Sequence, residues 1–256
     1  MTYTQFLILF LLIPIGLLAF KLRRRLTRRE PRWLALLMLL ALSYTAPWDN
    51  YLVASGVWAY DPGLVAGLTI GWVPVEEYVF FLLQPLLTGL WAVFMIRRFP
   101  KSHRDSRPDG LRTITTLIVT LFWLSAIAAL LFGAERLRYL SLILAWALPP
   151  IGLQLAFGAD ILWAERTRAA LGLVPATAFL CAADALAIQR GIWTINPESS
   201  SRIFLGGALP LEEALFFLLT NALIVSTLVL LQADDSRRRL DRGLNILFSH
   251  LNPVQG

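Results

Sequence analysis

Cysteine is almost missing from this chain. Cys181 is the one thiol in 256 residues, so an internal disulfide and a metal site built from several thiolates are both excluded. Lysine is nearly as scarce, with only Lys21 and Lys101, both in basic segments between apolar runs. A Schiff-base pigment needs a lysine inside the membrane, so a covalent retinal protein is excluded. The two histidines, His103 and His250, fall in segments expected to be cytoplasmic and are poor ligand candidates. No Gly-x-Gly-x-x-Gly follows a strand pattern, so a Rossmann-type flavin site is not indicated. Paired Asp-rich loops that could hold Mg²⁺ on a diphosphate are also missing, since Asp234-Asp235 stands alone in the tail. Charge is thin as well. It makes up 16% of residues, against about a quarter in soluble domains.

What fills the chain is hydrocarbon. Hydrophobic residues are 57%, the mean hydropathy is +0.64, and there are nine tryptophans and fifteen phenylalanines. Seven apolar stretches, 3–20, 33–53, 73–96, 113–132, 138–158, 169–189 and 208–231, approach or reach the length that crosses a bilayer as helix. The expected fold is an all-α membrane protein of seven transmembrane helices. The first run has no basic residue before it and a basic block after it, the reverse of a secretory signal. Pro149-Pro150 should kink or break the fifth helix. Nineteen of the 23 basic residues fall in the segments after helices one, three, five and seven. The net charge of +6 therefore reads as membrane topology rather than as a nucleic-acid surface. The N-terminus is expected outside and the C-terminus in the cytoplasm, with the cell membrane as the location.

One costly feature occurs twice. Pro74-Val75-Glu76-Glu77 and Pro210-Leu211-Glu212-Glu213 each set two carboxylates at the head of an apolar helix. Ionisable groups in or near hydrocarbon are functional candidates. The repeat extends further. Asp49, Gly56, Trp58 and Pro62 precede the first copy, and Asp184, Gly191, Trp193 and Pro197 precede the second. Asp-to-Gly is seven residues and Trp-to-Pro four in both, and only the last gap differs, by one residue. The expected organisation is a three-helix unit over 1–112, a connecting helix over 113–137, a second unit over 138–232 and a cytoplasmic tail over 233–256. A single connector makes the two units parallel, with both carboxylate pairs at one depth.

Neighbouring residues on a helix lie about 100° apart, so each Glu pair should divide between two faces. Gln84 and Thr220 follow the second glutamates by seven residues and continue a polar stripe, with Asn221 beside Thr220. Phe80, Phe81, Phe216 and Phe217 sit one turn below the acids. Clustered carboxyls can hold one member protonated and another ionised, and aromatic faces attract cations. The combination suits acid chemistry on an apolar substrate. Plainer readings exist. First-turn glutamates complement the helix dipole, Asp49 and Asp184 can be solvated helix ends, Trp58 and Trp193 can be interfacial belt residues, and the Phe pairs and Cys181 can be packing. A proton-coupled transporter and a non-catalytic ligand-binding accessory subunit also remain open.

Pro-Trp-Asp-Asn over 47–50, Gly-Val-Trp over 56–58 and Pro-Val-Glu-Glu-Tyr-Val-Phe-Phe over 74–81 resemble the small integral-membrane carotenoid cyclases. So do Asp184, Gly191-Ile192-Trp193 and Pro210-Leu211-Glu212-Glu213. These are the lycopene cyclases of actinobacteria, archaea and fungi, and this chain is similar to the form in which two subunits are fused. The match is fuller in the first half, since Ala183 and Ala185 stand where Trp48 and Asn50 stand in the first unit. The resemblance implies closure of an isoprenoid end group of lycopene or a similar acyclic carotenoid, with β-carotene the expected product. The chemistry would be protonation, ring closure and deprotonation, with neither metal nor cofactor. It implies proton transfer by Glu76 or Glu77 and by Glu212 or Glu213, with Asp49 and Asp184 as second candidates. Trp58, Trp193, the four phenylalanines, Gln84 and Asn221 would line the substrate. The lipid bilayer and other enzymes of carotenoid synthesis are the expected partners.

Overall fold

The computed structural model describes residues 1–99 and 110–251, and side chains in the last helix up to residue 242. His103, Lys101, Arg104 and Arg107 lie outside the described residues, as does the side chain of His250. Helix α1 spans Tyr3–Leu22, α2 Glu30–Ala54, α3 Val75–Arg98, α4 Leu111–Phe132, α5 Arg138–Ala164, α6 Arg166–Gln189, α7 Leu211–Gln232 and α8 Asp234–Leu251. All seven expected stretches are helical over most of their length, the third and seventh beginning at Val75 and Leu211. Six helices among the described residues are long and apolar enough to cross a membrane: α1, α3, α4, α5 with the 3₁₀ turn before it, α6 and α7. Helix α2 is not in that group, and it carries Glu30, Arg32 and Asp49.

The helices that begin with the Glu pairs, α3 and α7, form the centre. Helix α3 packs against α1, α2, α6 and α7, while α7 packs against α5, α6 and α3. Helix α4 lies along α5 with a mostly exposed surface.

Between the helices the chain forms short strand pairs that apolar periodicity does not register. Strand β1, Trp58–Tyr60, pairs antiparallel with β4, Trp193–Ile195, so that Ala59 faces Thr194 and Tyr60 faces Trp193. Strands β2, Thr69–Ile70, and β3, Val73–Pro74, make a hairpin closed by Gly71-Trp72. Strands β5, Phe204–Leu205, and β6, Leu209–Pro210, make another, closed by three residues. The one-residue difference between the two sequence spacings lies in this turn. Gly71, Gly206 and Gly207 have φ of 65°, 57° and 77°, a region in which glycine is the residue of least strain.

Of the kink or break expected at Pro149-Pro150, the break is corrected. Helix α5 continues through the pair, and its one non-helical backbone geometry falls at Gly158 (φ −155°, ψ 32°). A proline cannot donate to the carbonyl four residues back, so this pair frees the carbonyls of Ala145 and Trp146. Trp123 Nε1 donates to the first at 3.1 Å and Tyr44 Oη to the second at 2.8 Å. Pro175 in α6 frees Leu171, whose carbonyl accepts from Trp91 Nε1 at 3.0 Å. Side chains from neighbouring helices supply what proline removes, which is how such prolines persist in apolar surroundings.

Arginines of the basic segments also tie helices together. Arg97 at the end of α3 makes a bidentate pair with buried Glu30 at the start of α2, at 3.0 and 2.6 Å. Arg239 in α8 pairs with Asp160 in α5 at 3.0 and 2.6 Å.

Candidate active site

All six sequence-singled acids are buried. Glu76 and Glu77 are 4% exposed, Asp49 and Asp184 2%, and Glu212 and Glu213 0%. Solvated helix ends are therefore ruled out for the two aspartates.

Each Glu pair divides its work, as the 100° separation requires. Glu76 Oε1 accepts the backbone N–H of Ala66 at 2.6 Å, and Glu212 Oε1 accepts that of Ser201 at 2.6 Å. These first glutamates fasten the loop that leads into their own helix. The second glutamates face a phenol. Tyr3 at the start of α1 donates to Glu77 Oε2, and Tyr139 at the start of α5 donates to Glu213 Oε1. Both pairs are 74 residues apart in the chain.

Glu77 has a second phenol donor. Tyr60 Oη from β1 lies 3.0 Å from Glu77 Oε2. Burial, and then the charges of Asp49 and Glu77, push the Tyr60 hydroxyl well above the usual phenol range, so it stays a donor. Ile195 occupies the matching place in β4, and Glu213 Oε2 has no hydrogen-bond partner among the described residues.

The acids of the two halves influence one another electrostatically. Asp49, Asp184 and Glu213 each lie within electrostatic range of Glu77, and Glu213 within range of Asp184. Trp193 Nε1 donates to Asp184 Oδ1 at 3.0 Å. Trp58 and Trp193 are 8% and 3% exposed and stack on one another at 6.4 Å with planes 6° apart. They are buried against each other and against the tyrosines rather than exposed on the surface. Trp193 packs 5.0 Å from Tyr3 and Trp58 6.3 Å from Tyr139. Each indole thus touches the phenol that serves the other half's glutamate.

Below the acids, Phe80 and Phe217 meet edge to face at 6.3 Å across α3 and α7. Each also touches its own neighbour, Phe81 and Phe216. Gln84 does not pair with Thr220. Its amide donates to Asn221 Oδ1 at 2.7 Å, Thr88 donates to the same oxygen at 2.7 Å, and Asn221 donates to Thr177 at 3.1 Å. Thr220 turns back to the Phe216 carbonyl of its own helix at 2.8 Å. Cys181 is half-buried and free.

Sequence reasoning missed the three tyrosines. Tyr60 follows Trp58 by two residues, but Ile195 breaks that pattern in the second half. Tyr3 and Tyr139 could have been found. They hold the same spacing to Glu77 and Glu213, and each begins an apolar helix.

The family profile described as lycopene cyclase matches residues 1–95. A lycopene beta-cyclase of Halobacterium salinarum is 38% identical over 204 residues, covering 79% of this chain and 83% of that protein. Bifunctional lycopene cyclase/phytoene synthases of Sporisorium reilianum and Gibberella fujikuroi are 32% and 35% identical, over 88% and 85% of this chain. The aligned part is 34% and 38% of those fungal proteins. No solved structure matches.

Proposed function

This chain belongs to the lycopene cyclase family, and on that premise we propose that it closes the isoprenoid end groups of lycopene, or a similar acyclic carotenoid, into β-type rings. One observation carries the reading. Two buried glutamates, Glu77 and Glu213, are each held by a phenol, stand in one cluster with Asp49 and Asp184, and lie above paired phenylalanines.

A carboxyl of this cluster transfers its proton to the terminal double bond of the substrate, leaving a tertiary cation. The neighbouring double bond attacks that cation, and its electron pair becomes the new ring bond. A carboxylate then removes a proton from the ring, restoring a double bond. The substrate ends as an isomer with no electrons gained or lost, and the carboxyl set ends with as many protons as it began. Glu77 and Glu213 carry proton transfer in this reading, with Asp49 and Asp184 as exchange partners. Glu76 and Glu212 hold the loops. The rings of Phe80, Phe81, Phe216 and Phe217 offer negative faces to the cation, and the apolar surroundings keep water from trapping it.

Two duplicated units, 1–112 and 138–232, frame the site, joined by the helix of 113–137 and followed by the tail of 233–256. The matched Tyr–Glu bonds and the symmetric pairing of β1 with β4 about Ala59 and Thr194 support that arrangement. Seven crossings, with the N-terminus outside and the C-terminus in the cytoplasm, agree with the basic segments. The cell membrane would be the location, and other enzymes of carotenoid synthesis are candidate neighbours.

Expression in a lycopene-accumulating bacterium tests this. Chromatography should show γ- and β-carotene, lost in Glu77→Gln and in Glu213→Gln. Lycopene left unchanged, with the intact protein present in the membrane, would overturn the reading.

A further inference from the structure

A groove of about 380 Å³ runs between α1, α3 and α6. Leu17 and Leu18 of α1, Leu87 and Thr88 of α3, and Phe179 and Leu180 of α6 are among its walls. Leu17 is 63% exposed and Phe179 39%, so the groove opens sideways onto the apolar surface. Leu180 stands one turn before Asp184. From Phe179 a line of rings leads to the acids. Phe179 meets Phe10 at 6.4 Å, Phe10 meets Phe6 at 5.2 Å, Phe6 meets Trp193 at 5.2 Å and Trp193 meets Tyr3 at 5.0 Å. No hydrogen bond joins Phe10 to Phe179, so these two rings can part at the cost of dispersion contacts alone.

The other half differs at the corresponding positions. Trp146 stands for Phe10 and Tyr44 for Phe179, and this pair is stacked at 5.4 Å. It is also latched twice, Tyr44 Oη to the Trp146 carbonyl at 2.8 Å and Trp146 Nε1 to the Tyr44 carbonyl at 3.3 Å. Trp48, which stands for Ala183, fills the space beyond. Its ring lies 4.7 Å from Trp146 and 5.9 Å from Phe216, nearly parallel to both. Helix α6 packs closely along α3, whereas α2 hardly meets α7 and Trp48 bridges the gap between them. Gln154 closes α5 onto α7 through Thr227 at 2.7 Å and the Leu223 carbonyl at 2.9 Å. A cavity on this side, lined by Leu153, Gln154 and Thr227, leads to Arg237 and Leu240 of α8, away from the acids.

We propose that the linear polyene reaches the acid cluster by one route only, the groove between α1, α3 and α6, and that the matching route in the second half is shut by the Trp48–Trp146–Phe216 stack. The inference rests on the cyclase reading given above. The occupant follows from the walls, which are apolar apart from Lys21 at one end and Thr88, and which open onto the apolar surface of the helices; they suit an unbranched run of conjugated carbons dissolved in the bilayer. With one route, the two ends of a substrate molecule are cyclised in turn. The half-cyclised product must withdraw and present its other end.

Single cysteines at two exposed, matched positions test the asymmetry. Leu17→Cys and Leu153→Cys are made in a Cys181→Ser background. Each is assayed with lycopene in membranes, before and after reaction with a bulky methanethiosulfonate reagent, with stoichiometry read by mass spectrometry. Each sample is compared with its own unmodified form. Modification at position 17 should slow cyclisation at least tenfold, and reductant should restore it. Modification at position 153 should change the rate less than twofold. Equal losses at both positions, or complete modification at 17 without loss, would overturn the single route. If neither unmodified variant nor the parent chain forms any ring, the cyclase reading itself falls, and this inference with it.

Discussion

Tyr60 Oη lies 3.0 Å from Glu77 Oε2, a second phenol on a carboxylate already held by Tyr3. Glu213 receives Tyr139 but nothing from Ile195, which stands where a second tyrosine would be. The two glutamates are therefore set in unequal surroundings. Tyr60→Phe should slow ring formation by about tenfold, the worth of one charge-assisted hydrogen bond of roughly 1.5 kcal/mol. Ile195→Tyr should change it less than Tyr60→Phe does. Rates of γ- and β-carotene appearance in isolated membranes measure both, and a larger effect from position 195 would contradict the assignment.

The first and second glutamates of each pair should separate cleanly by mutation. Glu77→Gln and Glu213→Gln remove a proton carrier and should cost about a hundredfold or more in rate, the scale of general acid–base catalysis. Glu76→Gln and Glu212→Gln keep an acceptor for the Ala66 and Ser201 amides and should cost only severalfold. Equal losses across all four would show that the burial of charge, not its placement, is what matters.

The proline carbonyls permit a compensation test. Tyr44→Phe strips the Trp146 carbonyl of its donor and should destabilise the protein by about 1–3 kcal/mol, the cost of an unmet buried polar group. Adding Pro150→Ala returns the missing N–H and should recover most of that loss. Thermal unfolding in detergent is the measurement. The same logic applies to Trp91→Phe with Pro175→Ala. No coupling in either double variant would mean that the side-chain donors are incidental.

Asn221 joins Gln84, Thr88 and Thr177 across three helices. Asn221→Ala leaves Gln84 Nε2 with only a 3.5 Å contact to Thr88 and should lower stability by about 1–3 kcal/mol. Product composition should not change. A shift in ring pattern without a loss of stability would instead place Asn221 against the substrate.

Much of the architecture could be read from residue order. Length and hydropathy determine which stretches are helical, because a helix in lipid must satisfy its own backbone and be apolar over its length. The recurrence of Asp, Gly, Trp and Pro at fixed distances marked the acids as a matched set. The absent lysines, cysteines and glycine-rich turns removed the retinal, thiolate and Rossmann readings. Which member of each Glu pair meets a phenol was not legible, because it depends on where α1 and α5 place Tyr3 and Tyr139, 74 residues away. Nor was the continuity of α5 through Pro149-Pro150. Proline's local penalty is visible in the sequence, but the donors that offset it, Trp123 and Tyr44, come from other helices. The difference between Trp48 and Ala183 was visible as a mismatch between halves. That the tryptophan completes a ring stack while the alanine is buried one turn beyond the groove-lining Leu180 depends on how the helices pack. Residue order thus determined which segments are apolar helices, and tertiary contact decided which polar atoms meet, since a hydrogen bond acts over about three ångströms regardless of separation along the chain.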